Sequence, residues 1–78
     1  MVFCNKIKDN KDQAVYSMGC FTTNMTGLIV FYNDDRCYEV VKQPEGDTVA
    51  RNWISKLYNL HREEFENNEF KERIAYQV

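Results

Sequence analysis

The chain has 78 residues, a formal net charge of −2, and contains 44% apolar and 14% aromatic residues. That length and composition suit one folded domain, residues 1–78, whose modest core leaves no room for a large enclosed catalytic pocket. The mild acidity excludes a general electrostatic attraction of the whole chain to nucleic acid or to anionic membranes.

The first part of the chain contains one helical pattern and one strand pattern. Val2, Phe3 and Ile7 are spaced as on one face of a helix, which predicts a short helix over residues 2–8. Residues 14–21 alternate in character and are followed by Thr-Thr-Asn, which is typical of a strand that ends in a turn. We therefore expect a helix followed by a strand.

The next two apolar runs predict a β-hairpin. Residues 28–32 are five consecutive apolar residues, and residues 37–41 form the second run. The four polar residues 33–36 lie between the runs, as in a turn that joins two antiparallel strands. Pro44 and Gly46 then end the second strand.

An amphipathic helix is predicted after this hairpin. Asp47 or Thr48 is a candidate N-cap residue, because a short polar side chain there accepts a hydrogen bond from the first helical turn. The apolar residues that follow fall on one helical face, and they are Val49, Trp53, Ile54, Leu57 and Tyr58.

The last segment has two interpretations. Phe70 and Ile74 are four residues apart behind Asn67 or Asn68 as a cap, which favours a second helix within residues 66–76. Residues 73–78 fit a short strand equally well. Together the patterns predict an α+β domain in which a three-stranded antiparallel sheet packs against two or three short helices.

Targeting signals and cysteine usage predict the compartment. The N-terminus lacks the basic and apolar regions of a secretory signal, and no run is long enough to cross a bilayer. Cys4, Cys20 and Cys37 are an odd number at wide spacing, which suits free thiols in a reducing compartment. We expect a cytoplasmic protein without a disulfide framework.

A cysteine paired with His61 is the one enzymatic arrangement that the residue inventory permits, because His61 is the only histidine and a cysteine nucleophile needs a base. Free cysteines and lone histidines are more often structural, so we expect no enzyme, no catalytic residue and no cofactor. The cysteines are 16 and 17 residues apart, too far for a chelating pair, so no metal site is expected.

The carboxylates are concentrated in two places. Asp34 and Asp35 occupy the predicted hairpin turn, where the fold does not require them, and five glutamates against one lysine lie within residues 63–72. A solvated surface is the simpler interpretation of such a run. If both groups face one way, they present carboxylates as a phosphate backbone does, and would bind a basic cleft that ordinarily holds nucleic acid.

Phe65 lies between Glu64 and Glu66. Core packing is the default for an aromatic side chain in a small domain. At this position in an acidic run, the alternative is an exposed aromatic anchor for a partner.

Several runs of residues resemble a family of small phage-encoded type II-A anti-CRISPR proteins, which mimic DNA in the cleft where the effector nuclease reads its short recognition motif. The runs are Leu28-Ile29-Val30, Asn33-Asp34-Asp35, Val40-Val41, Trp53-Ile54-Ser55, Asn59, Glu63-Glu64-Phe65-Glu66 and Glu69-Phe70. The resemblance extends from Leu28 to Glu69 and, more loosely, from Ile7 to Asp12. It implies a three-stranded antiparallel sheet with helices packed on it.

The resemblance also implies a partner-binding site. Carried over residue by residue, its contacts fall on Asp12, Asp34, Asp35, Glu64, Phe65, Glu66 and Glu69. Glu63, Asn67 and Asn68 complete the candidate surface, although the two asparagines stand where the family has carboxylates. Arg36 likewise replaces a turn glycine.

The implied function is inhibition of a guide-RNA-loaded type II CRISPR effector nuclease, with target DNA excluded by occupancy. We expect a monomer or small homo-oligomer in the cytoplasm of an infected bacterial host, without direct binding to nucleic acid or membrane. The alternative is an acidic interaction or immunity module that neutralises another basic partner, such as a toxin or a different nucleic-acid-binding defence protein. A cysteine enzyme using His61 is the third hypothesis.

Overall fold

The computed structural model describes residues 1–77, which form a five-stranded sheet and one helix. The elements in chain order are β1 Val2–Asp9, β2 Gln13–Gly19, β3 Gly27–Tyr32, β4 Tyr38–Lys42, α1 Arg51–Glu66 and β5 Arg73–Tyr76. All strand pairs are antiparallel, and the strand order is β4-β3-β2-β1-β5. The domain is therefore mostly β, and the predicted three-stranded sheet with two or three helices is wrong.

Strand β1 occupies the region predicted as the first helix. Val2 and Cys4 are buried, whereas Asn5 is exposed, which is the two-residue period of a strand. A bulge between Lys6 and Lys8 interrupts the pairing with β2, so Ile7 falls outside the simple alternation. Pairing on both sides, with β2 and β5, overrides the weak helical pattern.

The predicted strand over residues 14–21 and the predicted hairpin are both confirmed. The first is β2, and β3 pairs with β4 from Leu28↔Lys42 to Phe31↔Tyr38. The Cys37 amide donates to the Asp34 carbonyl at 3.1 Å, and Cys37 has a φ of 62°. This is the hairpin geometry in which a turn is followed by one left-handed residue.

Helix α1 begins at Arg51 without a side-chain cap, so the prediction of Asp47 or Thr48 as the N-cap is wrong. Ala50 is the N-cap residue, and its carbonyl accepts the first two helical hydrogen bonds at 3.1 and 3.3 Å. The Asp47 carboxylate instead accepts a hydrogen bond from the Asn24 amide at 3.1 Å. The polar residues before α1 therefore fix a loop rather than the helix.

The second helix predicted within residues 66–76 is absent from residues 1–77. Its place is taken by β5, as the alternative interpretation of residues 73–78 predicts, although Val78 lies outside the described residues. β5 pairs with the first half of β1, from Val2↔Tyr76 to Asn5↔Arg73.

The core lies between α1 and one face of the sheet. Phe65 is completely buried, with its ring 4.8 Å from the Phe31 ring and 5.5 Å from the Phe70 ring. Tyr16 meets Phe31 edge to face at 5.4 Å, and its hydroxyl donates to the Lys71 carbonyl at 2.6 Å. Buried side chains of this size contribute about 1.5–3 kcal/mol each, so this aromatic cluster is a major source of stability.

The other face of the sheet carries no helix within residues 1–77, so the domain has two layers only. In that same part of the chain, no helix combines the length and the apolar character needed to cross a membrane.

Candidate functional site at one end of the sheet

Antiparallel strand directions bring three segments to one end of the sheet. These are the β1–β2 turn (residues 10–12), the β3–β4 turn (residues 33–37) and the end of α1 with the residues after it (residues 63–69). They contain seven carboxylates and two cations, a net charge of −5, whereas the whole chain carries −2. We call these three segments the acidic end.

Asn33 joins the three segments. Its backbone amide donates to the Asp12 carbonyl at 3.1 Å. Its side-chain amide donates to the Lys11 carbonyl at 3.3 Å and to the Asn68 side-chain oxygen at 2.7 Å. One asparagine thus sets the spacing between both turns and the end of α1.

The β1–β2 turn places Asp12 at the surface. The Asn10 side-chain oxygen accepts the backbone amides of Asp12 and Gln13 at 2.8 and 3.1 Å, so the asparagine side chain closes the turn. Asp12 is exposed, and its carboxylate forms no ion pair within residues 1–77. Its charge is therefore available to a partner.

Asp34 and Asp35 differ sharply although they are neighbours. Asp34 binds the Arg36 guanidinium through both oxygens, with a shortest distance of 2.7 Å, and also accepts the Arg36 backbone amide. These bonds lower the pKa of Asp34 to about 2. Asp35 is exposed, and its carboxylate has no ion-pair partner among the described residues. Asp35 is the free carboxylate of this turn.

Arg36 is held over the Tyr32 ring, with its guanidinium carbon 3.9 Å from the ring centre. That stacking and the bond to Asp34 fix the cation on the turn. Arg36 therefore neutralises Asp34 and reduces the number of carboxylates that this turn offers to a partner.

Helix α1 ends in a Schellman motif. Asn68 has a φ of 62°, its amide donates to the Phe65 carbonyl at 3.0 Å, and the Glu69 amide donates to the Glu64 carbonyl at 2.7 Å. Asn67 and Asn68 therefore close α1, and the prediction that either one opens a second helix is wrong. The negative end of the helix dipole points into the acidic end, and the last turn contains no basic residue.

The glutamates of the acidic end fall into paired and unpaired groups. Glu64 is half-buried between His61 at 2.9 Å and Lys71 at 3.2 Å, and the hydrogen bond from His61 is the main cause of its lowered pKa. Glu66 lies 3.3 Å from the Arg62 guanidinium. Glu63 and Glu69 are exposed and form no ion pair within residues 1–77.

Phe65 cannot be the exposed aromatic anchor considered above, because none of its side chain is accessible to solvent. It continues the buried stripe of α1, since it follows Leu57 by eight residues and Tyr58 by seven. The acidic run around it is the outer surface of a helix whose inner face is apolar.

The acidic end can therefore act as a set of hydrogen-bond acceptors for lysine and arginine. Asp12, Asp35, Glu63 and Glu69 supply exposed carboxylates without an internal cation, within the described part of the chain. Asn67 and Asn68 are exposed beside them and add neutral donors and acceptors. A partner with clustered guanidinium groups would form charge-assisted, bidentate contacts there.

The structure gives little support to the hypothesis of a cysteine enzyme that uses His61 as its base. The His61 ring nitrogen is engaged with Glu64, and burial raises the pKa of the Cys4 thiol to about 12. A thiol with so high a pKa is protonated at neutral pH and is a poor nucleophile. The part of the chain that the structure describes contains no group of three His, Cys, Asp or Glu side chains placed to hold a metal ion.

Sequence reasoning missed Asn33 as the residue that organises this end. Asparagine is common in turns, and that local signal is present. The bonds from Asn33 to Lys11 and Asn68, however, join residues 22 and 35 positions away, which local patterns do not specify.

Comparison of the chain with models of protein families, with curated proteins and with solved structures finds no match.

Proposed function

We propose that the acidic end binds a basic, nucleic-acid-binding cleft of another protein, and that this partner is a guide-loaded type II effector nuclease whose recognition of target DNA is blocked. The main support is that four exposed carboxylates lie at one end of the domain and form no ion pair within residues 1–77. They are Asp12, Asp35, Glu63 and Glu69. The sequence resemblance supplies the kind of partner. Because the fold differs from the one that the resemblance implies, the mode of binding rests on charge placement alone.

One charge at the end of α1, that of Glu63, supports binding because it works against folding. Carboxylates near a helix C-terminus face the negative end of the helix dipole, at a cost of about 0.3–1 kcal/mol each. Glu64 and Glu66 are offset by ion pairs with His61, Lys71 and Arg62, whereas Glu63 forms no ion pair within residues 1–77, and no basic residue occupies the last turn. Residues that disfavour the fold are more often explained by an interaction outside the domain.

A fixed backbone also supports binding. The two turns are joined through Asn33, so Asp12 and Asp35 extend from backbone that is already ordered. A preorganised surface loses less conformational entropy on association than a flexible one. Basic clefts that read DNA present arginines in bidentate geometry, and carboxylates satisfy the same donors.

This account predicts inhibition by occupancy, without chemistry on the partner. Charge pairs across such an interface are screened by salt, so affinity falls as ionic strength rises. The protein would compete with DNA carrying the recognition motif and would leave the guide RNA in place.

A gel-shift competition tests the proposal. A guide-loaded type II effector nuclease is mixed with a labelled duplex that carries its motif, with and without the protein, at low and at moderate salt. We expect the shifted band to disappear at low salt and to return partly at higher salt. The double variant Asp35→Lys/Glu66→Lys should lose this effect and keep its circular dichroism spectrum, because both side chains are exposed.

Two results would contradict the proposal. An unchanged band with the wild-type protein would exclude that effector as the partner, and would direct the search to other basic proteins such as cationic toxins. Full inhibition by the folded double variant would exclude the acidic end as the binding surface.

A further inference from the structure

The outer edge of β4 has backbone groups without partners. β4 is the outermost strand of the sheet and pairs with β3 only. The Tyr32 amide donates to the Cys37 carbonyl at 2.9 Å, so Cys37 and, two residues later, Glu39 turn their backbone groups towards β3. Tyr38 and Val40 alternate with them and turn their backbone groups outwards. Within residues 1–77, these two amides and two carbonyls have no hydrogen-bond partner.

A groove lies beside this edge. It has a volume of about 390 Å³, and its lining residues are Arg36, Cys37, Tyr38, Glu39, Val40 and Arg51. Five consecutive residues that lead into and along β4 therefore form one wall, and the first residue of α1 forms the other. The chain that follows β4 turns towards the core instead, because the Gln43 side chain binds both backbone groups of the buried Val49 at 2.8 and 3.3 Å.

Two charges of opposite sign flank the edge on opposite faces of the sheet. The Tyr38 hydroxyl is 2.8 Å from the Ser55 hydroxyl, so Tyr38 faces α1, and its neighbour Glu39 faces the other side. Arg51 precedes Ser55 by about one helical turn, which places it on the α1 side, near Val40. Glu39 and Arg51 are both exposed, and neither forms an ion pair within residues 1–77.

The same charges disfavour pairing of β4 with β4 of a second copy. Antiparallel pairing that uses all four free backbone groups places Tyr38 opposite the partner subunit's Val40. The residue between them, Glu39, then lies directly opposite the partner subunit's Glu39. Like charges in such a cross-strand pair are destabilising. A strand with a cation at this position has the complementary charge, so the edge favours a segment of a different protein.

We propose that the edge of β4 binds an extended segment of another protein as an additional antiparallel strand, and that this segment carries a lysine or arginine directly after an aspartate or glutamate. The cation lies opposite Glu39. The acidic residue before it lies opposite Val40, on the face where Arg51 is exposed. Backbone hydrogen bonds to Tyr38 and Val40 hold the added strand, and the two charge pairs fix its register.

Titration of the isotope-labelled protein with a peptide, followed by NMR, tests this binding. The probe is the acetylated and amidated peptide Thr-Thr-Glu-Lys-Val-Thr-Thr, in which threonine and valine favour a strand. We expect a dissociation constant below about 1 mM, with the largest shifts and slowed hydrogen exchange at the amides of Tyr38 and Val40. The matched control peptide has N-methyl groups on its glutamate and valine. It should not bind, because it lacks the two amide donors that face β4.

A charge exchange tests the register of the added strand. Glu39→Lys should weaken binding of the peptide about threefold or more, because it places a like charge opposite the peptide's lysine. Glu45→Lys makes the same change at an exposed loop residue and should leave the dissociation constant unchanged. A second peptide, in which glutamate replaces the lysine, should bind Glu39→Lys more tightly than it binds the wild-type protein. Circular dichroism confirms that both variants are folded.

Several results would overturn the inference. No binding at about 1 mM peptide, or equal binding of the N-methylated peptide, would exclude strand addition. Shifts confined to β5 would place the peptide at the other edge, and shifts confined to the acidic end would show that its carboxylates bind the peptide's lysine. Equal weakening by Glu39→Lys and Glu45→Lys would exclude the proposed register. None of these measurements includes the effector nuclease, so their outcome is independent of the proposed function.

Discussion

The two ends of α1 differ in how they are closed, although the charges at both oppose the helix dipole. The first residue is the cation Arg51, the first turn contains no acidic residue, and no side chain caps it. The last turn contains three glutamates and no cation, but the backbone there closes in a complete Schellman motif. The C-terminal end, where more charges oppose the helix dipole, is therefore the end whose backbone hydrogen bonds are more completely satisfied.

This difference indicates that buried side chains, rather than favourable charges at its ends, stabilise α1. Four buried side chains, Ile54, Leu57, Tyr58 and Phe65, attach α1 to the sheet. Each contributes about 1.5–3 kcal/mol by burial, several times the dipole cost of one carboxylate. The core can thus support an acidic helix end that the helix dipole disfavours, and the Glu63 carboxylate remains available for a partner.

Removal of Phe65 should have the largest effect on stability. Phe65→Ala deletes the ring that lies between Phe31 and Phe70, and we expect a loss of about 3–5 kcal/mol in the free energy of unfolding. Leu60→Ala, on the exposed side of the same helix, should change it by no more than about 0.5 kcal/mol. Urea denaturation measures both, and equal effects would show that the buried stripe does not hold α1.

Removal of Asn33, the asparagine that joins the three segments, should have the second largest effect on stability. Asn33→Ala removes the side-chain bonds to Lys11 and Asn68, so we expect a loss of about 1–2 kcal/mol. Asn59→Ala is the control, because Asn59 is exposed on α1. Amide hydrogen exchange should locate the loosening in both turns and in residues 67–69. If Asn33→Ala destabilises the protein no more than Asn59→Ala, the acidic end is not organised by Asn33.

Reversal of a charge at the end of α1 should stabilise the domain. Glu63→Lys places a cation at the negative end of the helix dipole, and we expect a gain of about 0.3–1 kcal/mol at low salt. Glu45→Lys makes the same charge change in a loop at the opposite end of the sheet, and should have little effect. Thermal unfolding at low and high salt measures the stability of both variants. A Glu63→Lys protein less stable than the wild type would contradict the claim that Glu63 interacts unfavourably with the helix dipole.

The smallest effect is expected in the acid range. Asp34 has a pKa near 2 in the folded protein, against an ordinary value of 3.8, so its ionised form stabilises the fold above that ordinary value. This contribution is lost as the pH falls from 3.8 towards 2. Asp34→Asn should therefore flatten the pH dependence of stability in this window. An acid-unfolding curve with the wild-type slope would show that the Arg36 bond does not contribute.

Local pattern predicted the parts of the fold that are determined locally. β2, the β3–β4 hairpin and a helix with Ile54 and Leu57 on its buried face follow from periodicity and turn residues. The apolar stripe predicted for α1 ended at Tyr58, because four polar or charged residues, 61–64, conceal its continuation to Phe65.

The parts that failed depend on distant pairing. β1 was predicted as a helix because its bulge disturbs the two-residue period, and β5 has four residues that gain their structure from β1, about seventy positions earlier. The acidic end was predicted in part: Asp12, Asp34, Asp35 and residues 66–69 do lie at one end of the sheet. Sequence alone did not reveal that Arg36 neutralises Asp34 or that Phe65 is buried.

The most direct test of the account compares two single charge reversals in binding to the effector nuclease. Asp35→Lys and Glu45→Lys change the net charge equally, and each alters one exposed carboxylate, but only Asp35 belongs to the acidic end. Titration of the labelled, guide-loaded nuclease at two salt concentrations gives the dissociation constants. We expect Asp35→Lys to weaken binding at least about tenfold and Glu45→Lys to leave it close to the wild-type value. Equal weakening by both variants, or no binding by the wild-type protein, would contradict the account.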